Sequence, residues 1–299
     1  MRIWTSCLLL SLLTVSAHSA EPSNLADEIV ATVNSRKITG KDLQIEFFQK
    51  QLAATPTPQS QDQLIEQLID RELIKQFLKK RNVTAEQVLI DERMNAIRKL
   101  VESKGDDLEK VLGSLGLQED SLVDMIALQL AWNAHVTRTL TEKRIQEFWK
   151  TNKTHFDGTE IKASQIFKRT PTGTSDEENF KQLKTLREEI VAQKLTFAEA
   201  AKMHSDSPSG AKGGDLGTFE YYGRVAEPIA AVAFETQPGK ISEPFRSPFG
   251  LHIVKVHERN DGDLSLEDAR AQVVKALSKT LWDEQVARER KNARIQISN

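Results

Sequence analysis

The chain has 299 residues, of which 28% are charged and 39% hydrophobic, and its net charge is −2. Charge this evenly balanced leaves no electrostatic footprint for nucleic acid or an anionic membrane surface. The single cysteine, Cys7, precedes the first apolar run, so the rest of the chain has neither disulfides nor a thiol nucleophile, which suits an oxidising compartment.

At the N-terminus, "MRIWTSCLLLSLLTVSAHSAEP" places Arg2 before an apolar run from Leu8 to Val15, followed by small residues. This is the order of a secretory signal peptide, expected over residues 1–20 with cleavage after Ala17, Ser19 or Ala20. A bilayer span needs ~20 apolar residues, more than this run supplies. Cys7 lies ahead of the run, so it is not the lipid-modified cysteine that ends a lipoprotein signal. No later stretch is apolar enough for an integral membrane anchor. The expectation is a soluble protein, periplasmic or secreted.

The mature part, roughly 280 residues, has room for about two domains. "EIVATVNSRKITGKDL" reads as a strand from Ile29 to Val33, a turn at Asn34-Ser35 and a return through Ile38. Helices are expected from there to His155, giving a helical domain over residues 28–155. Leu64, Ile65, Leu68, Ile69, Leu73, Ile74, Phe77 and Leu78 mark one helical face. Ser60 with Gln63, and Thr84 with Gln87, fit capping boxes, and Thr141 fits an N-cap. Another helix is expected from Ser121 to Leu140. His135 and His155 have no ligand or catalytic spacing, and structural or surface roles are expected for both.

The pattern changes over residues 158–258. "TEIKASQIFKR" alternates like a strand, and two helices follow, the second opened by a Thr196–Glu199 capping box. After a glycine-rich loop come the short helix "PIAAVAFE" and the strands "ISEPF" and "GLHIVKVHE". A βααβαββ order in this length predicts a compact α+β domain. A long helix from Leu266 and a final strand, Arg294 to Ile297, occupy residues 263–299. A lone strand is unstable; the unpaired hairpin at Ile29 is its expected partner. The α+β unit is therefore expected to be inserted in a discontinuous helical domain.

The loop "HSDSPSGAKGGDLGTF" holds Gly210, Gly213, Gly214 and Gly217. It lacks the G-x-x-x-x-G-K-[ST] and G-x-G-x-x-G spacings and runs from helix to strand, which excludes a phosphate cradle. Leu216, Phe219 and Asp215 interrupt the glycines, which argues against a plain linker. A turned loop lining a pocket remains. His204, Asp206 and Ser207 are too close together for a hydrolytic triad, and G-x-S-x-G is absent.

Together, "ASQIF", "FAEAAKMHSDSPSGAKGGDLGTF" and "EPIAAVAFETQPGKISEPFRSPFGLHIVKV" resemble the parvulin-type (rotamase, PpiC) peptidyl-prolyl isomerase domain nearly end to end. The flanking helical segments resemble the SurA and PrsA class of exported folding factors. The resemblance implies a four-stranded antiparallel sheet with helices, and catalysis of X-Pro rotation. Its clients would be unfolded or proline-containing exported polypeptides. No bond is broken, so neither a cofactor nor a metal is required. In this family two histidines lie on central strands beside a Cys or Asp, over a Met/Phe/Leu pocket.

Carried over residue by residue, His252 matches the C-terminal histidine, Gln165 stands at the first, and Ser207 replaces the Cys or Asp. For proline binding, Leu216 and Phe234 are retained, while Val225 and Ile229 stand where Met and Phe are usual. An amide both donates and accepts, so Gln165 can still bond His252. Read from its own neighbours alone, His252 would be a buried strand histidine packed with Val254 and Val256; the resemblance implies a pocket-facing role instead. His257, five residues on, falls on the opposite strand face. The expected function is isomerase and folding chaperone. The alternative is a catalytically weak or inactive holdase of the same fold.

Overall fold

The computed structural model describes residues 28–49, 58–114, 117–169 and 177–298. The expected signal segment lies outside the described residues. Strand β1 (Ile29–Val33) turns back into β2 (Arg36–Thr39), with α1 (Gly40–Gln49) and α2 (Pro58–Lys80) following. Next come α3 (Gln87–Glu102), α4 (Leu108–Ser114), α5 (Glu119–Thr139) and α6 (Glu142–Asn152). The inserted unit runs β3 (Glu160–Arg169), α7 (Glu177–Val191), α8 (Phe197–His204), β4 (Asp215–Glu220), α9 (Glu227–Glu235), β5 (Phe245–Ser247) and β6 (Gly250–Asn260). Helix α10 (Leu266–Arg290) and β7 (Ile295–Ile297) complete the chain. The fold is α+β: a four-stranded antiparallel sheet, ordered β4-β3-β6-β5, set within a mainly helical unit.

The two chain ends meet in a second sheet, ordered β2-β1-β7. Asn34 takes the left-handed conformation (φ 56°) that a two-residue hairpin turn demands. It also holds the far end of the chain: its N–H donates to Arg294 O at 2.8 Å, and its Oδ1 accepts from Arg294 N at 3.0 Å. Beneath this sheet, Ala31, Val33 and Ile38 share a core with Ile65, Ile69 and Leu73 of α2. Helix α10 packs along α2, α5 and α6 through Val286, Leu277 and Val273. Its polar side is tied down by Arg290 to Asp70 and Glu66, and by Trp132 Nε1 donating to Ser278 Oγ at 3.0 Å.

The entering and leaving segments of the inserted unit are bonded to each other. Thr159 Oγ1 donates to Asp157 Oδ1 at 2.6 Å and accepts from Gly262 N at 3.1 Å, while Leu264 N donates to Asp157 O at 2.9 Å. Asp157 and Thr159 are both buried, so these bonds are shielded from water and fix how the inserted unit leaves the helical one.

Alternation along β3 and β6 divides the four-stranded sheet into two faces. Ile166, Leu251 and Ile253 pack against Leu183, Leu186 and Ile190 of α7 and Phe197 of α8. On the other face, Ala163, Val254 and Val256 pack with Ile229, Ala230 and Ala233 of α9. Gln165, Phe167 and His252 share this second face.

The caps at Thr141 and at Thr196–Glu199 form as the sequence predicts. Three local expectations change. Helix α3 begins at Gln87 after extended Glu86, so Thr84 does not cap it. Helix α2 begins at Pro58, which puts Ser60 inside its first turn. "ISEPF" makes only a single bridge, Ile241 to Lys255, and the edge strand proper starts at Phe245. Pro244 supplies no N–H for a ladder, and pairing begins directly after it.

Candidate active site

His252 is the centre of the site. In register it lies opposite Phe167 on β3 and Phe245 on β5. Both rings stack on the imidazole, with centroids at 4.8 and 5.4 Å. Gln165 pairs with Val254, making it the diagonal neighbour of His252 on one sheet face. His252 is 2% exposed, and burial pushes its pKa down to about 4. The ring is therefore neutral near pH 7, with one donor nitrogen and one acceptor.

The hydrogen bonds around the ring form a chain. Phe249 N donates to Ser247 Oγ at 3.0 Å, and Ser247 Oγ lies 2.7 Å from His252 Nε2. On the far side, His252 Nδ1 lies 3.3 Å from Gln165 Oε1. One arrangement satisfies both ring nitrogens: the Ser247 hydroxyl donates to Nε2, and Nδ1–H donates to the Gln165 carbonyl. The amide oxygen of Gln165 is thereby held toward the histidine. Its amide nitrogen has no partner among the described residues.

Gln165 also lines an open cavity of about 280 Å³, together with Asp215, Leu216, Arg224, Val225, Ala226 and Ile229. Gly214 fixes the wall of this cavity: its φ is +82°, and a Cβ there would collide with the Gln165 backbone carbonyl. Gln165 N donates back to Gly214 O at 2.9 Å. The glycine loop is a close-fitting turn against the strand that carries Gln165, which only a residue without a side chain can make.

The cavity thus brings together Gln165, Leu216, Val225 and Ile229 of the residues singled out in the sequence. His252 stands behind Gln165 and is not part of the lining. Two residues lie elsewhere. Ser207 caps a short 3-10 turn, Pro208–Lys212, where its Oγ accepts from Ser209 N and contacts Ser209 Oγ at 3.0 Å. None of its hydrogen-bond partners is Gln165 or His252, because the adjacent turn has first use of the hydroxyl. Phe234 is buried against Tyr221, at 5.2 Å between ring centroids, and His155, at 5.9 Å, where the inserted unit meets the end of α6. His155 in turn stacks on Tyr221 at 3.6 Å, the structural role expected of it.

Sequence reasoning missed Ser247, Phe167, Phe245 and Arg224. Phe167 was within reach, since it shares a strand face with Gln165 two residues earlier. Ser247 and Phe245 reach the histidine only through the β5–β6 turn, whose register no residue pattern marks.

The site belongs to a recognisable class. Residues 164–258 match the PPIC-type PPIASE domain, and residues 1–135 match the SurA-like N-terminal domain. The foldase protein PrsA 2 of Bacillus cereus is 30% identical over 212 residues, covering 69% of this chain and 68% of that protein. A putative peptidyl-prolyl cis-trans isomerase SurA of Haemophilus influenzae is 35% identical over 147 residues, covering 48% of this chain and 47% of its own. A crystal structure of peptidylprolyl isomerase (PrsA) from Bacillus anthracis is similar at 22% identity and a TM-score of 0.49, covering 79% of this chain and all of that one. The chain belongs to the PrsA/SurA family of folding factors with a parvulin-type peptidyl-prolyl cis-trans isomerase domain. Among the described residues, no helix is long and apolar enough to cross a membrane.

Proposed function

We propose that the cavity seats the proline ring of an exported, incompletely folded polypeptide on Leu216, Val225 and Ile229, and that the Gln165 amide lowers the barrier to X-Pro rotation. A planar amide delocalises its nitrogen lone pair and accepts hydrogen bonds poorly at that atom. Twisting the bond localises the pair and makes the nitrogen an acceptor. A donor aimed at it binds the twisted state more tightly than the planar one, and that differential binding is catalysis. The uncatalysed barrier is ~18–20 kcal/mol. One neutral donor is worth about 1 kcal/mol, so the acceleration from Gln165 is modest.

In this reading His252 is a positioning residue. It holds the Gln165 oxygen and turns the amide N–H₂ toward the cavity. Ser247 fixes the histidine from the opposite side, and Phe167 and Phe245 prevent the ring from rotating. The observation that carries the proposal is the Gln165 amide nitrogen, without a partner among the described residues, in the same cavity as the apolar side chains of Leu216, Val225 and Ile229. Residues 28–155 and 263–299 act as one client-holding domain, with 158–258 as the isomerase insertion. Residues 1–20 are a cleaved export signal, placing the mature protein in the periplasm or medium without a lipid.

The holdase reading has its own support: Val88 and Leu89 of α3 are 56% and 41% exposed, leaving apolar surface on the helical unit for clients. A Val225→Trp variant separates the two activities, because the indole fills the cavity. Isomerisation of an X-Pro peptide, measured by NMR exchange, should be lost while suppression of client aggregation stays. Equal loss of both in a folded protein would make the cavity itself the client site and end the division of labour.

A further inference from the structure

The isomerase reading leaves open which prolines the cavity accepts, and Arg224 bears on that choice. It is the cation of the cavity lining, where the other charged residue is Asp215. Asp215 has a local task, since its Oδ1 accepts from Gly217 N at 2.8 Å. The Arg224 side chain lies across the edge strand β4, with Nη2 donating to Leu216 O and, at 3.3 Å, to Thr218 O. Gly217 makes this seat possible: a Cβ there would collide with the guanidinium.

Both acceptors are uncharged carbonyls. No carboxylate pairs with Arg224 among the described residues, and its Nε and Nη1 have no protein partner there. A guanidinium in this state is a planar donor fork held at a fixed place, the geometry that grips a carboxylate through two parallel bonds. Its place matters. Arg224 immediately precedes Val225 of the cavity floor, and consecutive Cα atoms are about 3.8 Å apart. A residue adjacent to a proline seated on Val225 therefore comes to the rim where Arg224 stands.

We propose that Arg224 is a specificity residue that reads an acidic side chain flanking the proline, so that the site prefers acidic neighbours over basic ones. The proposal rests on the cavity being the proline site. The carbonyls of β4 hold the guanidinium in the empty site, and a client carboxylate takes its free edge. Because the pair is exposed, its worth is limited and falls with salt.

Amide-capped tetrapeptides carrying Glu, Gln or Lys immediately before or after the proline test this. Turnover is read by NMR exchange and affinity by chemical-shift titration, at low ionic strength and at about 0.5 M salt, where the screening length falls below ~10 Å. At low salt the full-length protein should prefer the Glu over the Lys peptide by about fivefold at one of the two flanks, shrinking at high salt. Arg224→Glu should reverse the order. Arg224→Gln, which keeps a donor and loses the charge, should bring the ratio near one. A Glu/Lys ratio near one in the unaltered protein at both flanks, or a ratio that both variants leave untouched, overturns the proposal. Absence of turnover for every peptide would instead count against the isomerase reading, and the affinity ratios would still decide the role of Arg224.

Discussion

The two faces of the four-stranded sheet are one residue apart in sequence and have opposite tasks. Ile166, Leu251 and Ile253 face α7 and α8 and bury only carbon. Gln165 and His252, beside them in the chain, face the cavity side and form a hydrogen-bonded chain that leaves the Gln165 amide nitrogen without a partner among the described residues. The packing face supplies rigidity; the polar face uses it to hold an amide in one orientation. A site built on strands is only as precise as the packing beneath it, so the two faces should fail in different ways when altered.

The largest expected effect is on the packing face. Ile253 is fully buried, and Ile253→Ala should cost about 2–5 kcal/mol of stability by leaving a cavity. Chemical denaturation should show this, while turnover per folded molecule changes little at low temperature. If turnover falls as steeply as stability, the faces are not separable.

On the polar face, burial sets a pH window. His252 titrates at 6.5 in the unfolded reference and at about 4 when folded. Between these values the unfolded chain binds the extra proton, so the contribution is full above pH 6.5 and is lost as pH falls toward 4. The loss is on the order of 3 kcal/mol. His252→Gln, uncharged throughout, should flatten that part of the stability profile. Parallel acid profiles for the two proteins would show that His252 is not held neutral.

A smaller effect is expected at the end of the chain of bonds. Ser247→Ala leaves His252 Nε2 buried without its partner, which should cost about 1–2 kcal/mol. Turnover should fall less than tenfold, because Nδ1 still holds Gln165. Ser247→Thr keeps the hydroxyl and should restore both. Failure of threonine to rescue would make Ser247 a packing residue.

The sequence shows this comparison unevenly. Strand alternation and the family motif pick out Gln165, Leu216, Val225 and Ile229, because a motif marks which residues lie beside a pocket. Neither says which way a retained residue faces. Phe234 fits the motif and lies in the core against Tyr221 and His155, and Ser207, standing where the family has Cys or Asp, caps its own turn. Ser247 escapes notice because its role depends on the tight β5–β6 connection. Pairing of the two chain ends was legible for a simpler reason: β7 needs a neighbour, and β1 had a free edge.

The central claim is that the Gln165 amide nitrogen, oriented by a neutral His252, is the group that favours the twisted bond. Gln165→Leu keeps the side-chain volume and removes the donor. Measured by NMR exchange on a neutral X-Pro peptide near pH 7, kcat should fall roughly tenfold, equivalent to ~1.4 kcal/mol of barrier, with KM within about twofold. A folded Gln165→Leu protein that turns over the peptide at the unaltered rate would contradict the account.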